Sequence, residues 1–186
     1  MYFLPEVKFG FYNGWIPLAV FFLTFLLFLL TSPKEIVKKL YDRSGWSKKQ
    51  IIILALFKII ILSFFILIIF MPLKFNTIYF YIGLPIYLIG YFCFFMALFN
   101  YRNTPVDQVV KKGIYKISRN PQAFFIFITF LGICFMLGNI LYLLFIFFLF
   151  ISLHVRILTE EKSCLSQYGD SYRDYMKRAP RYFLFF

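Results

Sequence analysis

Long apolar runs alternate with short basic segments along this chain, and the alternation predicts its architecture. Residues 11–30, 51–71 and 78–99 carry almost no charge. Each is about twenty residues, long enough as a helix to cross the hydrocarbon core of a bilayer. A further apolar region runs from Pro121 to Leu137, is interrupted at Gly138-Asn139, and resumes at Ile140. With roughly thirty apolar residues it is too long for one span. Gly138-Asn139 is therefore expected to be the corner of a tight helical hairpin. The second arm gains length by continuing through Arg156 into Leu165. The expected fold is all-α: a polytopic membrane bundle of about five transmembrane helices, the last two a hairpin, with a short cytosolic C-terminal helix. At this length a single domain, 1–186, is expected, with three N-terminal spans in 1–99 and a polar loop, the hairpin and the tail in 100–186.

Interruptions within the runs refine the picture. Pro17 falls near the start of the first, where a proline is tolerated. Gly83, Pro85 and Gly90 break the third and predict a kink. Lys58 lies inside the second and is expected to snorkel toward the nearer interface. Ser32-Pro33 opens a short amphipathic helix able to lay Ile36, Val37 and Leu40 on the membrane surface, in a 31–50 loop expected to be a cytosolic connector rather than a substrate-contacting element. In the tail, Tyr168-Gly169 ends a helix, and Asp170 or Ser171 is expected to cap the next. Tyr172, Tyr175 and Met176 would then face the membrane.

Composition confirms the class. The chain is 62% hydrophobic, against roughly 45–50% in soluble domains. The formal charge of +12 would suggest nucleic acid in a soluble protein. Here the basic residues crowd into 31–50, 100–120 and the tail, beside apolar spans, where anionic lipid explains them, and no nucleic-acid recognition motif accompanies them. The other side carries Lys8 and Lys74. This bias places the N-terminus outside and the C-terminus in the cytosol, as an odd number of spans requires. Cys93, Cys134 and Cys164 are scattered and His154 is the one histidine, so neither a disulfide framework nor a metal site is expected. The first residues lack the pattern of a removable signal peptide.

The chemistry concentrates in HVRILTEEK, His154 to Lys162. On a helix Arg156 and Glu160 lie on one face, a turn apart, and Ser163 and Gln167 extend that face. Glu161 lies on another. A cation and an anion where hydrocarbon gives way to water are expensive; they either serve function or mark the helix's exit into the headgroups.

Several ordered motifs carry a resemblance: GIYKISRNP, the Arg156 to Glu160-Glu161 spacing, then YGDSYRDYMKRAPRYF. Over residues 103–183 the chain is similar to the isoprenylcysteine carboxyl methyltransferase family, to which phospholipid N-methyltransferases are more distantly related. The Tyr41-Asp42-Arg43-Ser44 loop is a looser match to prokaryotic members. The resemblance implies a membrane enzyme that takes S-adenosylmethionine from the cytosol and methylates a lipophilic acceptor reached from the bilayer, with no metal. By motif position it implies that Gln108, Val109, Val110, Tyr115, Asn120, Pro121 and Glu160 line the cofactor. It makes Arg156 the residue for the acceptor carboxylate, so that Arg156 and Glu160 carry the reaction. The chain departs from the family's Arg-His-Pro-x-Tyr, reading Arg119-Asn120-Pro121-Gln122-Ala123. Asparagine keeps the hydrogen-bonding capacity, whereas Ala123 removes an aromatic wall and a hydroxyl for which Gln122 is a candidate substitute.

The chemistry suits these residues. Methyl transfer from a sulfonium needs alignment of an in-line nucleophile and exclusion of water. Arginine forks onto a carboxylate and keeps its charge near hydrocarbon. A carboxylate or thiolate acceptor needs no general base, in keeping with one histidine. The alternatives are a phospholipid or small-amphiphile acceptor, a non-catalytic membrane protein with a degenerate pocket, and a small transporter. Against transport, there is no internal repeat with paired broken helices.

Overall fold

A computed structural model describes residues 6–8 and 10–183. Over these residues the chain forms helices α1 (Trp15–Thr31), α2 (Lys34–Leu40), α3 (Lys48–Phe70), α4 (Ile78–Arg102), α5 (Pro121–Leu137), α6 (Tyr142–Tyr168) and α7 (Asp170–Arg178). A 3-10 turn, Gly113–Lys116, precedes α5. Among the described residues there is no strand beyond an isolated bridge between Asn13 and Pro72. By length and composition α3, α4 and α6 can each cross a membrane. α1 and α5, at 17 residues each, rise roughly 25 Å, at the short end of a crossing. The five apolar helices are those expected from the runs, with boundaries shifted by a few residues.

Each boundary has a local cause. Ser47 starts α3 ahead of its apolar run through a capping box: its Oγ accepts from the Gln50 N–H (3.3 Å), and the Gln50 side chain accepts from the Ser47 N–H (2.9 Å). Thr77 caps α4, which continues unbroken through Pro85. The hairpin corner falls where expected. Gly138 takes a left-handed conformation (φ 61°) that ends α5, and the buried Asn139 accepts from the Leu141 N–H at 2.9 Å.

α4 and α5 form the most extensive helix pairing, and glycines make it possible. A Cβ added at Gly83 would come within 2.6 Å of the Gly132 carbonyl oxygen, and one at Gly90 would collide with the Thr129 backbone. The two helices thus touch backbone to backbone, as small residues allow in membrane bundles. Around this seam Phe21, Phe130, Phe145 and Ile133 form the buried core, while Leu23, Leu27, Leu56, Ile59, Phe92 and Phe147 point outward. An apolar exterior over a packed aromatic interior suits lipid as the outer solvent.

The bundle's two ends differ. At one, the Lys74 N–H donates to Met136 O and the Leu73 N–H to Tyr12 O, tying three turns together. At the other, α2, the 41–47 loop, the 103–120 segment and α7 gather around a cleft.

Three expectations are corrected here. The aromatic face of α7 packs on the protein rather than on the membrane: Tyr172 and Tyr175 are buried, and the Tyr175 hydroxyl donates to the buried Tyr115 carbonyl at 2.7 Å. Neither Asp170 nor Ser171 caps α7. Its N-cap is Gly169 (φ 51°), with no side-chain cap, and Asp170 pairs with Arg173 in the first turn. Similarly, Ile36 of α2 is buried and Leu40 packs against the core.

Candidate functional site

The cleft has a volume of about 1160 Å³ and is walled by segments far apart in sequence. Every candidate from the sequence lines it: Gln108, Val109, Val110, Tyr115, Asn120, Pro121, Arg156 and Glu160. The long α6 carries the last two beyond the apolar core. Arg156 Nε donates to Glu160 Oε1 at 2.7 Å, with each side chain about one-third exposed (37% and 36%). Glu160 is the sole hydrogen-bond partner of Arg156 among the described residues, so the guanidinium's outer nitrogens are uncommitted.

Its neighbour Glu161 is a different kind of group. It is buried, and three side chains donate to it: Arg119 Nε (2.7 Å), Asn120 Nδ2 (2.8 Å) and Arg181 Nε (3.0 Å). Arg119 further donates to the carbonyls of Ala179 (2.8 Å) and Met176 (3.3 Å), and its N–H to Pro180 O. One carboxylate thus fastens the start of α5, α6 and the tail together. Asn120 lines the cleft, but its amide nitrogen is engaged by Glu161 and by Arg181 O. Sequence reasoning singled out Glu160 and missed this network. The signal was present, because the Arg-x-Pro and Pro-Arg motifs supply Arg119 and Arg181.

Tyr115, buried under the cleft, accepts at its hydroxyl from Gln122 Nε2 at 2.8 Å. Gln122 therefore supplies a polar group beside the space that Ala123 leaves, and both line the cleft. The loop bearing Gln108 to Val110 is held from the opposite side. Lys39 Nζ of α2 donates to the carbonyls of Gln108 (3.0 Å) and Pro105 (3.3 Å) and lies over the rings of Tyr101 and Tyr168. Burial lowers the Lys39 pKa from its ordinary value, yet the two carbonyls reward the charged form. α2 is therefore part of the site rather than a plain connector. Ser163 contributes a buried Oγ without a hydrogen-bond partner, close under Gly45.

His154 stands apart. Its Nδ1 contacts the Tyr182 hydroxyl at 2.5 Å, and its ring stacks with Phe150 and Tyr182. It anchors the tail and does not line the cleft. Among the described residues no three His, Cys, Asp or Glu side chains gather as a metal site.

Residues 86–171 match the phospholipid methyltransferase family. It is a family of membrane methyltransferases. The matched stretch opens within α4 and closes just inside α7, so it contains every candidate residue of the cleft. No curated protein and no solved structure matches the chain. With its apolar helices, the match makes this a membrane protein.

Proposed function

We propose that the chain is an S-adenosylmethionine-dependent methyltransferase acting on a lipophilic acceptor, most like the isoprenylcysteine carboxyl methyltransferases. The observation that carries this is convergence. Gln108, Val109 and Val110, then Tyr115, Asn120 and Pro121, then Arg156 and Glu160 lie in separate segments of sequence and line one cleft. The residues suit the cofactor. The cleft exceeds the roughly 300–1,000 Å³ common for small-molecule sites, leaving room beside a cofactor for an acceptor. Glu160 offers a carboxylate to ammonium or ribose hydroxyl donors, the Ser163 hydroxyl has no partner, and Tyr101 and Tyr172 offer aromatic walls.

When bound, the cofactor supplies an electrophilic methyl group on a sulfonium. The chain's own work is to bind, align and keep out water. Glu160 holds the cofactor's cationic or hydroxyl-bearing part and keeps Arg156 oriented through the existing ion pair. Arg156 presents its outer nitrogens to the acceptor's carboxylate. Phe22, Phe25, Phe94 and Leu98 form an apolar wall for the acceptor's chain. A phospholipid acceptor is the second reading, favoured by the family that residues 86–171 match. An amine headgroup would need a base, and the one histidine is bound to Tyr182; a carboxylate acceptor needs none. The charge bias favours a cytosolic basic end, the side from which the cofactor comes.

The test separates binding from turnover. Arg156→Lys keeps the charge but loses the fork. It should leave cofactor affinity unchanged and lower kcat/KM by about ten- to a hundredfold, the value of a charge-assisted hydrogen bond. Glu160→Gln should weaken cofactor binding. Normal turnover in the first together with normal binding in the second would overturn the assignment of both residues.

A further inference from the structure

Lys58 is a cation of the cleft that neither the fold nor the proposed reaction uses. It stands ten residues after Lys48, the first residue of α3, and so roughly 15 Å along the helix. An ammonium this deep in an apolar span is costly unless it serves a site or reaches water. Among the described residues Lys58 has no hydrogen-bond or ion-pair partner. It lines the cleft together with Arg43 and Arg156.

None of the cleft's carboxylates, Glu35, Asp42 and Glu160, pairs with it. Glu160 is bound by Arg156 at 2.7 Å, and Asp42 accepts from the Ser44 N–H at 2.9 Å. In all, seven Lys and Arg line the cleft against three Asp and Glu. Arg43 is fixed by stacking over the Trp46 ring at 5.0 Å, and Trp46 is itself buried. Lys58 is exposed and Arg43 half-buried, so water solvates them in the cleft, and an anion bound between them would relieve their repulsion. The same cleft is lined by Phe22 and Phe25 of α1 and by Phe94 of α4, helices whose outer faces are apolar. A ligand that satisfies both halves carries an anionic head and a hydrocarbon chain.

We propose that Lys58 and Arg43 bind the anionic group, phosphate or carboxylate, of a membrane amphiphile whose chain lies along Phe22, Phe25 and Phe94. Calling that amphiphile the methyl acceptor rests on the methyltransferase reading above; the binding itself does not. The site makes anionic charge a condition of recognition, with Arg156 alongside to fix the headgroup's orientation.

The experiment uses the full chain in a neutral maltoside detergent, without cofactor. The protein has two tryptophans, Trp15 and Trp46, so a Trp15→Phe background leaves Trp46, beside Arg43, as the reporter. Titration with dodecyl phosphate should change Trp46 emission saturably. Lys58→Gln should weaken that binding about ten- to a hundredfold, as loss of a charge-assisted contact does, whereas Lys58→Arg should largely keep it. Inorganic phosphate should bind far more weakly than dodecyl phosphate, and dodecyltrimethylammonium should give no saturable change. Unchanged affinity in Lys58→Gln would make Lys58 a snorkelling side chain and overturn the proposal. Equal affinity for inorganic phosphate would reduce the site to a free-anion site, and equal affinity for the cationic amphiphile would reduce it to an apolar groove; either overturns it too. Because no methyl transfer is measured, these failures would leave the methyltransferase reading standing.

Discussion

Glu161→Gln is expected to destabilise the protein by about 3–5 kcal/mol, the cost of leaving one partner of a buried ion pair unmatched. In the native structure Arg119 and Glu161 are 4% and 5% exposed, so water cannot replace the missing charge. One carboxylate oxygen becomes an amide NH2, so either Arg181, bound to Oε2, or Arg119 and Asn120, bound to Oε1, lose their acceptor. For a chain of this size the loss corresponds to a fall of roughly 10 °C in thermal midpoint. The adjacent substitution, Glu160→Gln, should change the midpoint little. Its ion pair is about one-third exposed (36% for Glu160), and such pairs contribute about 1 kcal/mol or less. Thermal unfolding of the two variants side by side checks the contrast. Equal midpoints would show that the Arg119–Glu161 network does not hold the tail. A double-mutant cycle with Arg119→Met should find the two losses strongly non-additive, because both variants break one contact.

Gly132→Val is expected to do comparable damage by a different route. The Cβ would collide with the Tyr87 backbone nitrogen and lie 2.8 Å from the Gly83 carbonyl oxygen. Backbone cannot swing aside as a long side chain does, so α4 and α5 must part. Overpacking of a tight core costs about 1–3 kcal/mol, and here parting the helices also opens van der Waals contacts along the seam. The cleft should suffer with the seam, since Phe94 and Tyr101 reach it from α4 and Gln122 and Ala123 from α5. Yield of monodisperse protein and its thermal midpoint are the measurements; a wild-type midpoint would mean that the seam is looser than its geometry.

Why were five helices legible in the chain, and the Glu161 network not? Hydrocarbon leaves little choice: a segment inside it must be continuous, apolar and helical, so the runs announce themselves. Gly138-Asn139 announced its corner for the same reason, as a polar break in an apolar stretch. The face of α7 was misread because Tyr172 and Tyr175 suit a membrane interface and a protein interior equally well. What decided between them was a carbonyl at Tyr115, sixty residues away. The same distance hid Lys39, whose acceptors at Pro105 and Gln108 lie 66 and 69 residues along the chain. Helical spacing correctly put Arg156 and Glu160 on one face and Glu161 on another. It had no means of showing that Arg119 and Arg181 meet on that other face.

A methyl-donor cofactor in the cleft would stabilise the folded protein, and ligand-induced stabilisation detects it. The purified protein in detergent should gain thermal stability with S-adenosylhomocysteine, because a ligand selective for the folded state stabilises it by mass action. At a hundred times the dissociation constant the gain is about 2.7 kcal/mol, and Glu160→Gln should need a higher ligand concentration for the same shift. Folded wild-type protein that shows no shift at millimolar ligand would contradict cofactor binding in the cleft.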